Sequence, residues 1–178
     1  VWVRCRGILK RSENGEPILF AGVVTNLGDK GKVDSITGLF SQIELRHSLE
    51  LSFERGTAVK GGILLLGLDN FTRVNNLKDH ILGDSILRKF AQDIQRLLPE
   101  NADIYRFDGD QFVILYEEAT RGELEALYRD IQSYANRQHE VDGFYYLCTV
   151  SAGISLLGED CSDYLDLVKY AGMALKQS

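Results

Sequence analysis

Ile104-Tyr105-Arg106-Phe107-Asp108-Gly109-Asp110-Gln111-Phe112-Val113-Ile114-Leu115-Tyr116 sets two short apolar segments on either side of a polar centre. Asp-Gly between extended runs signals a tight hairpin, because Gly takes positive φ without penalty. Upstream, Gly61 to Leu68 carries Ile63-Leu64-Leu65-Leu66 without a polar break. Such a run suits a strand buried on both faces. Downstream, Tyr146, Cys148, Val150, Ala152 and Ile154 alternate with more polar residues, which predicts a strand with one buried face.

Helical spacing fills the gaps between these strands. Ile86, Leu87, Phe90, Ala91, Ile94, Leu97 and Leu98 recur at a helical period, with Asp84 as the expected N-cap and Pro99 as the stop. Thr120-Arg121-Gly122-Glu123 reads as a capping box for a helix through about Ala135, with Leu124, Leu127, Tyr128 and Ile131 on its apolar face. A last helix is expected from about Ser162, its stripe formed by Leu165, Val168, Ala171 and Leu175. Thr37 to Glu54 has a looser stripe at Phe40, Ile43 and Leu49. The order α-β-α-β-β-α-β-α predicts an α/β sandwich (α+β), in which helices flank a largely antiparallel central sheet.

Ahead of this unit, Trp2 to Leu9 and Pro17 to Thr25 are two further extended segments, separated by Glu13-Asn14-Gly15-Glu16. Asn-Gly predicts an N-terminal β-hairpin, which is barely stable unless it packs on something. Residues 27–33 are rich in Gly and Lys and read as a linker, so the expected division is 1–26, 27–33 and 34–178.

The formal charge of −6 over 178 residues excludes a domain-wide basic footprint for nucleic acid. No apolar run approaches the ~20 residues that span a bilayer, and no signal peptide opens the chain. Cys5, Cys148 and Cys161 are widely spaced and form no CxxC, as expected of inert thiols in a reducing cytoplasm. Met173 is the only methionine, so the chain is expected to be a fragment of something longer.

Five stretches resemble, in order, the motifs of the GGDEF domain family, which contains the diguanylate cyclases. Asp34-Ser35-Ile36-Thr37-Gly38-Leu39 is similar to DxLTGL. Leu68-Asp69-Asn70-Phe71, Val74-Asn75-Asn76 and Gly83-Asp84 resemble the DxDxFKxxND…GHxxGD block. Arg106 to Phe112 resembles RYGGDEF, Val150-Ser151-Ala152-Gly153-Ile154-Ser155 the strand VTxSxGIA, and Tyr170-Ala171-Gly172-Met173-Ala174-Leu175 the helix ADxALY. The resemblance covers residues 34–178 and implies a nucleotide-cyclase-like sheet. The opening hairpin looks like the last two strands of a PAS-like sensory domain.

Members of the family condense two GTP into cyclic di-GMP, in a dimer, with Mg2+ or Mn2+ held by carboxylates. The resemblance places a metal-ligand Asp at Gly67, where no side chain exists. Asp69 lies two residues on, as a displaced candidate ligand. The phosphate-binding Lys falls at Thr72. In the signature turn, the first Gly is Asp108, Gly109 is kept, Asp110 keeps the metal-ligand position, and Gln111 replaces the second acid. Glutamine keeps the shape but carries no charge and takes no proton. Asp110 and Gln111 therefore stand at the catalytic positions of a site expected to turn over poorly or not at all.

The resemblance maps guanine reading onto Asn75 and Asp84, which are both kept. Asn76 and Asp79-His80 depart from the family pattern, and His80 is read as local structure. The feedback motif RxxD falls on Pro99-Glu100-Asn101-Ala102, with Asp103 one position off, so feedback binding of cyclic di-GMP there is not expected. These features imply an impaired GGDEF domain of a bacterial signalling protein. It would act as a GTP-binding, regulatory or dimerising module, with an EAL-type phosphodiesterase domain as the expected downstream neighbour. An active diguanylate cyclase using Asp69 and Asp110 is the alternative, and a purely structural transmitter without nucleotide is the second.

Overall fold

The computed structural model describes residues 3–12, 14–26, 31–54, 60–71 and 80–178. They form two compact units, 1–32 and 33–178, which are taken separately. In the first, β1 (Val3–Arg11) and β2 (Pro17–Asn26) pair antiparallel, from Val3 opposite Asn26 to Arg11 opposite Pro17. Ser12 N–H donates to Glu16 O at 2.8 Å and Gly15 N–H to Ser12 O at 3.0 Å, with Gly15 at φ +82°. The Asn14-Gly15 hairpin is therefore present as expected.

The second unit contains β3 (Phe40–Ser41), α1 (Gln42–Glu54), β4 (Gly61–Leu68), α2 (His80–Leu97), β5 (Ala102–Asp108) and β6 (Gln111–Glu117). It continues with α3 (Arg121–Ala135), β7 (Gln138–Val141), β8 (Phe144–Leu147), β9 (Val150–Leu157) and α4 (Tyr164–Leu175). Its five-stranded sheet has the order β3-β5-β6-β4-β9, and only the short β3–β5 pairing is parallel. β4 sits between β6 and β9, and helices cover both its faces, so Ile63, Leu64, Leu65 and Leu66 are all buried. One face packs Leu64, Leu66, Phe112 and Ile114 against Phe90 and Ile94 of α2 and Leu124 and Ile131 of α3. The other packs Ile63, Leu65 and Val113 against Leu45 and Leu49 of α1 and Leu167 and Ala171 of α4.

Several expectations are corrected. α2 starts at His80, four residues before Asp84, so Asp84 lies in the second turn and cannot be its N-cap. α1 starts at Gln42 rather than Thr37, because Asp34 Oδ1 accepts from both the Thr37 amide (2.8 Å) and hydroxyl (2.7 Å) and closes a turn there. Phe40 and Ile43 are exposed, and Leu45 joins Leu49 on the buried face. In α4, Leu165 is 68% exposed and the buried stripe is Tyr164, Leu167 and Ala171. Asp163 is its N-cap and accepts from Asp166 N–H at 2.9 Å.

The alternating strand through Tyr146 is two elements. β8 ends at Leu147 and β9 begins at Val150, while β7–β8 forms a separate hairpin over Asp142 (φ +52°) and Gly143 (φ +76°). The capping box of α3 is as expected: Thr120 N–H donates to Glu123 Oε2 at 2.8 Å, and Glu123 N–H to Thr120 Oγ1 at 3.4 Å. Gly153 has no room for a side chain, since a Cβ there would lie 1.9 Å from Ala171 O. This close approach sets how tightly α4 lies on β9.

Candidate functional site

The β5–β6 hairpin carries the signature residues. Asp108 pairs with Gln111 across a two-residue tip, Gly109-Asp110, and Gly109 sits at φ +49°. A glycine at the first central position is what a tight hairpin of this kind requires. Asp108 and Gly109 are exposed, Asp110 and Gln111 are half-buried, and Phe112 is fully buried against Phe90. The core thus anchors the base of the hairpin and leaves its tip open to a ligand.

The end of β4 lies beside this tip. Gly67 stands opposite Gln111 on one side and Ser151 on the other, and Leu68 N–H donates to Asp110 O at 3.2 Å. Among the described residues, a Cβ on Gly67 would meet only the two Leu175 methyls, both at 3.7 Å. Space for a side chain exists there; the sequence supplies none.

Asp69 follows, and β9 takes up its carboxylate. Thr149 Oγ1 donates to Oδ2 at 2.7 Å, Ser151 Oγ donates to Oδ1 at 2.9 Å, and Asp69 N–H donates to Thr149 O at 2.9 Å. Both oxygens are held by neutral donors on a rigid strand. Thr149 and Ser151 escaped the sequence reading; their signal was two hydroxyls at i and i+2, on one face of a strand that abuts Gly67.

Arg106 lies beneath the tip. It is 7% exposed, and its guanidinium stands 4.6 Å from the centre of the Phe112 ring. Nη1 has no hydrogen-bond partner among the described residues. Burial pulls its pKa down, and the carboxylates of Asp34, Asp110, Asp108 and Asp84 push it back up. The Phe112 ring that Arg106 covers packs on Phe90 of α2, so the charged head faces that helix. Asp84 itself is half-buried in α2, directly after the buried Gly83. Asn75 and Thr72 lie outside the described residues, as does Asn76.

A metal pair of the kind the resemblance implies does not fit the residues present. Gly67 offers no donor atom, the Asp69 carboxylate is held toward Thr149 and Ser151, and Asp110 is the member of the proposed ligand set with no side-chain hydrogen bond among the described residues. Among the described residues no group of three His, Cys, Asp or Glu side chains is arranged to hold an ion. A polar hollow of about 240 Å³ opens at Pro99, Ala102 and Asp103, with Thr37 and Gln95 on its other walls, and no arginine lines it. The Cys148 thiol is buried and pushed up to about 12 by that burial, as expected of an inert cysteine.

The family described as "Diguanylate cyclase, GGDEF domain" matches residues 31–178. The chain belongs to the GGDEF family. The cyclic di-GMP phosphodiesterase NbdA of Pseudomonas aeruginosa is 30% identical to it over 158 residues, which is 86% of this chain and 20% of that protein. The probable diguanylate cyclase DgcI of Escherichia coli is 35% identical over 136 residues, 71% of this chain and 31% of that protein. This GGDEF chain therefore spans a fifth to a third of the length of these relatives. The GGDEF domain of FimX from Pseudomonas aeruginosa shares its fold, with a TM-score of 0.75 at 17% identity, covering 82% of this chain and 92% of that one. No helix among the described residues is long and apolar enough to cross a membrane.

Proposed function

We propose that this GGDEF domain binds GTP without converting it efficiently to cyclic di-GMP, and serves as a regulatory or dimerising module of a bacterial cyclic di-GMP signalling protein. The observation that carries the reading is the end of β4. Gly67 supplies no ligand, and Asp69, the residue nearest to replacing it, is fixed by Thr149 and Ser151. Turning that carboxylate away from β9 to reach the position a Gly67 side chain would fill would give up two hydrogen bonds to a charged group, each contributing about 1.5–3 kcal/mol.

Guanine recognition has better support. Asp84 is half-buried on a packed helix, where a carboxylate can accept from N1–H and N2–H of guanine. Adenine would leave it unpaired. Asn75 completes the base site in this reading. The relatives that carry the same domain inside cyclic di-GMP phosphodiesterases fit a module whose nucleotide occupancy acts on a downstream EAL-type domain. A PAS-like origin for 1–26, a linker at 27–33, a homodimer and a cytoplasmic location complete the proposal.

Isothermal titration with GTP, with and without Mg2+ or Mn2+, followed by chromatography of the same mixture, tests it. Binding without cyclic di-GMP supports the reading. Product that disappears in Asp110→Ala establishes an active cyclase instead, and no binding at millimolar GTP leaves a purely structural transmitter.

A further inference from the structure

Resting on the reading that the domain takes GTP, we infer that Arg106 is a base-reading residue, whose free Nη1 donates to the O6/N7 edge of guanine while Asp84 holds the N1/N2 edge. Arg106 is buried beyond nine-tenths, so solvent does not satisfy its head group. Nη1 nevertheless lacks a partner among the described residues, although a buried charged donor left unpaired is costly. The contact with the Phe112 ring at 4.6 Å restrains the guanidinium without using its N–H donors.

The guanidinium lies on the α2 side of the sheet, because the Phe112 ring it covers packs 5.1 Å from the Phe90 ring of α2, the helix that carries Asp84. Asp34 belongs to the opening turn, Asp108 and Asp110 to the signature turn, and Asp84 to α2, and all four act on the same guanidinium. Asp34 Oδ1 already accepts two hydrogen bonds from Thr37. No ion pair within 4.0 Å is formed between Arg106 and any described carboxylate, so its charge is shared rather than spent on one partner.

Guanine is complementary to such a pair of groups. Its N1–H and N2–H are donors, which suit a carboxylate, and its O6 and N7 are adjacent acceptors, which suit the guanidinium fork. Adenine presents an amino group where guanine has O6, so Arg106 would face a donor and Asp84 an acceptor. Discrimination would then come from two charged residues that the core already holds in place. A phosphate is the less suitable partner for Arg106, because the carboxylates around it repel a second anion.

The test compares wild-type affinity for GTP, 7-deaza-GTP and inosine triphosphate by isothermal titration. 7-Deaza-GTP lacks only the N7 acceptor, and inosine triphosphate lacks only the N2 amine. The inference predicts that 7-deaza-GTP binds about tenfold more weakly than GTP. In Arg106→Met, which keeps an apolar stem and loses every donor, the 7-deaza penalty vanishes while the inosine penalty, owed to Asp84, persists. Equal affinity of the wild type for GTP and 7-deaza-GTP overturns the inference and leaves GTP binding intact. Absence of GTP binding removes both. The wild-type comparison stands whether or not the variant folds.

Discussion

Thr149 donates a 2.7 Å hydrogen bond to Asp69 Oδ2, and this contact ties the residue after β4 to the residue before β9, two positions beyond Gly67, where the family pattern calls for a metal ligand. The carboxylate is thereby a structural clasp. Asp69→Ala is expected to lower stability by about 1–3 kcal/mol, since it strands two hydroxyls and removes charge-assisted bonds. GTP affinity in the presence of Mg2+ should stay within about twofold. Urea unfolding and titration of the same variant check this, and a collapse of Mg2+-dependent binding at unchanged stability would reassign Asp69 as a ligand.

Gly67 has room for a side chain among the described residues, of which its Cβ position meets only the Leu175 methyls at 3.7 Å. Gly67→Asp should therefore fold, with a stability change within about 1 kcal/mol. Combined with Thr72→Lys, Asp108→Gly and Gln111→Glu, it restores the family residues at the four positions that the resemblance assigns to metal, phosphate and catalysis. Cyclic di-GMP should then appear by chromatography where the parent gives none. A folded, GTP-binding quadruple variant without product would place the defect elsewhere.

Gly153 is the opposite case. A methyl there would meet backbone atoms of α4 at 1.9 and 2.6 Å, which cannot yield as a flexible side chain would. Gly153→Ala should cost about 3 kcal/mol. Thermal unfolding of this variant beside Gly122→Ala, whose φ is not positive and whose added Cβ would meet only Thr120 Oγ1 at 4.0 Å among the described residues, separates crowding from a general sensitivity to losing glycine.

Asp93 gives a pH signature. Burial alone would raise its pKa, but hydrogen bonds from Lys89 and Tyr134 outweigh burial and hold the carboxyl below its ordinary value of 3.8. A depressed folded-state pKa stabilises the protein above the unfolded value, and this stability is lost as pH falls through the folded one. The stability gap between wild type and Asp93→Asn should therefore be largest near neutral pH and close below about pH 4. Denaturant unfolding across that range measures it.

How far the sequence carries is visible in particular residues. The Asp108-Gly109 hairpin, the buried run at Ile63 to Leu66 and the Thr120–Glu123 box follow from local chemistry alone, and all three are present. Leu165 was misplaced because a short stripe fits two helical faces equally well, and packing of α4 on β9 chose Leu167. Asp84 was read as a cap because a polar residue before an apolar stripe has that pattern wherever the helix starts. The hairpin over Asp142-Gly143 was missed because the alternation on either side of residues 148 and 149 continues in phase. At the site, Gly67 and Gln111 were legible as substitutions, whereas the orphaned Nη1 of Arg106 and the clasp on Asp69 are products of tertiary packing. Asn75 lies outside the described residues, so its role rests on the family pattern.

The most direct test is one titration of the chain with GTP and Mg2+, with the same sample then resolved by chromatography. The account predicts saturable GTP binding and no cyclic di-GMP. Cyclic di-GMP formed by the unaltered chain, and abolished by Asp110→Ala, would contradict it.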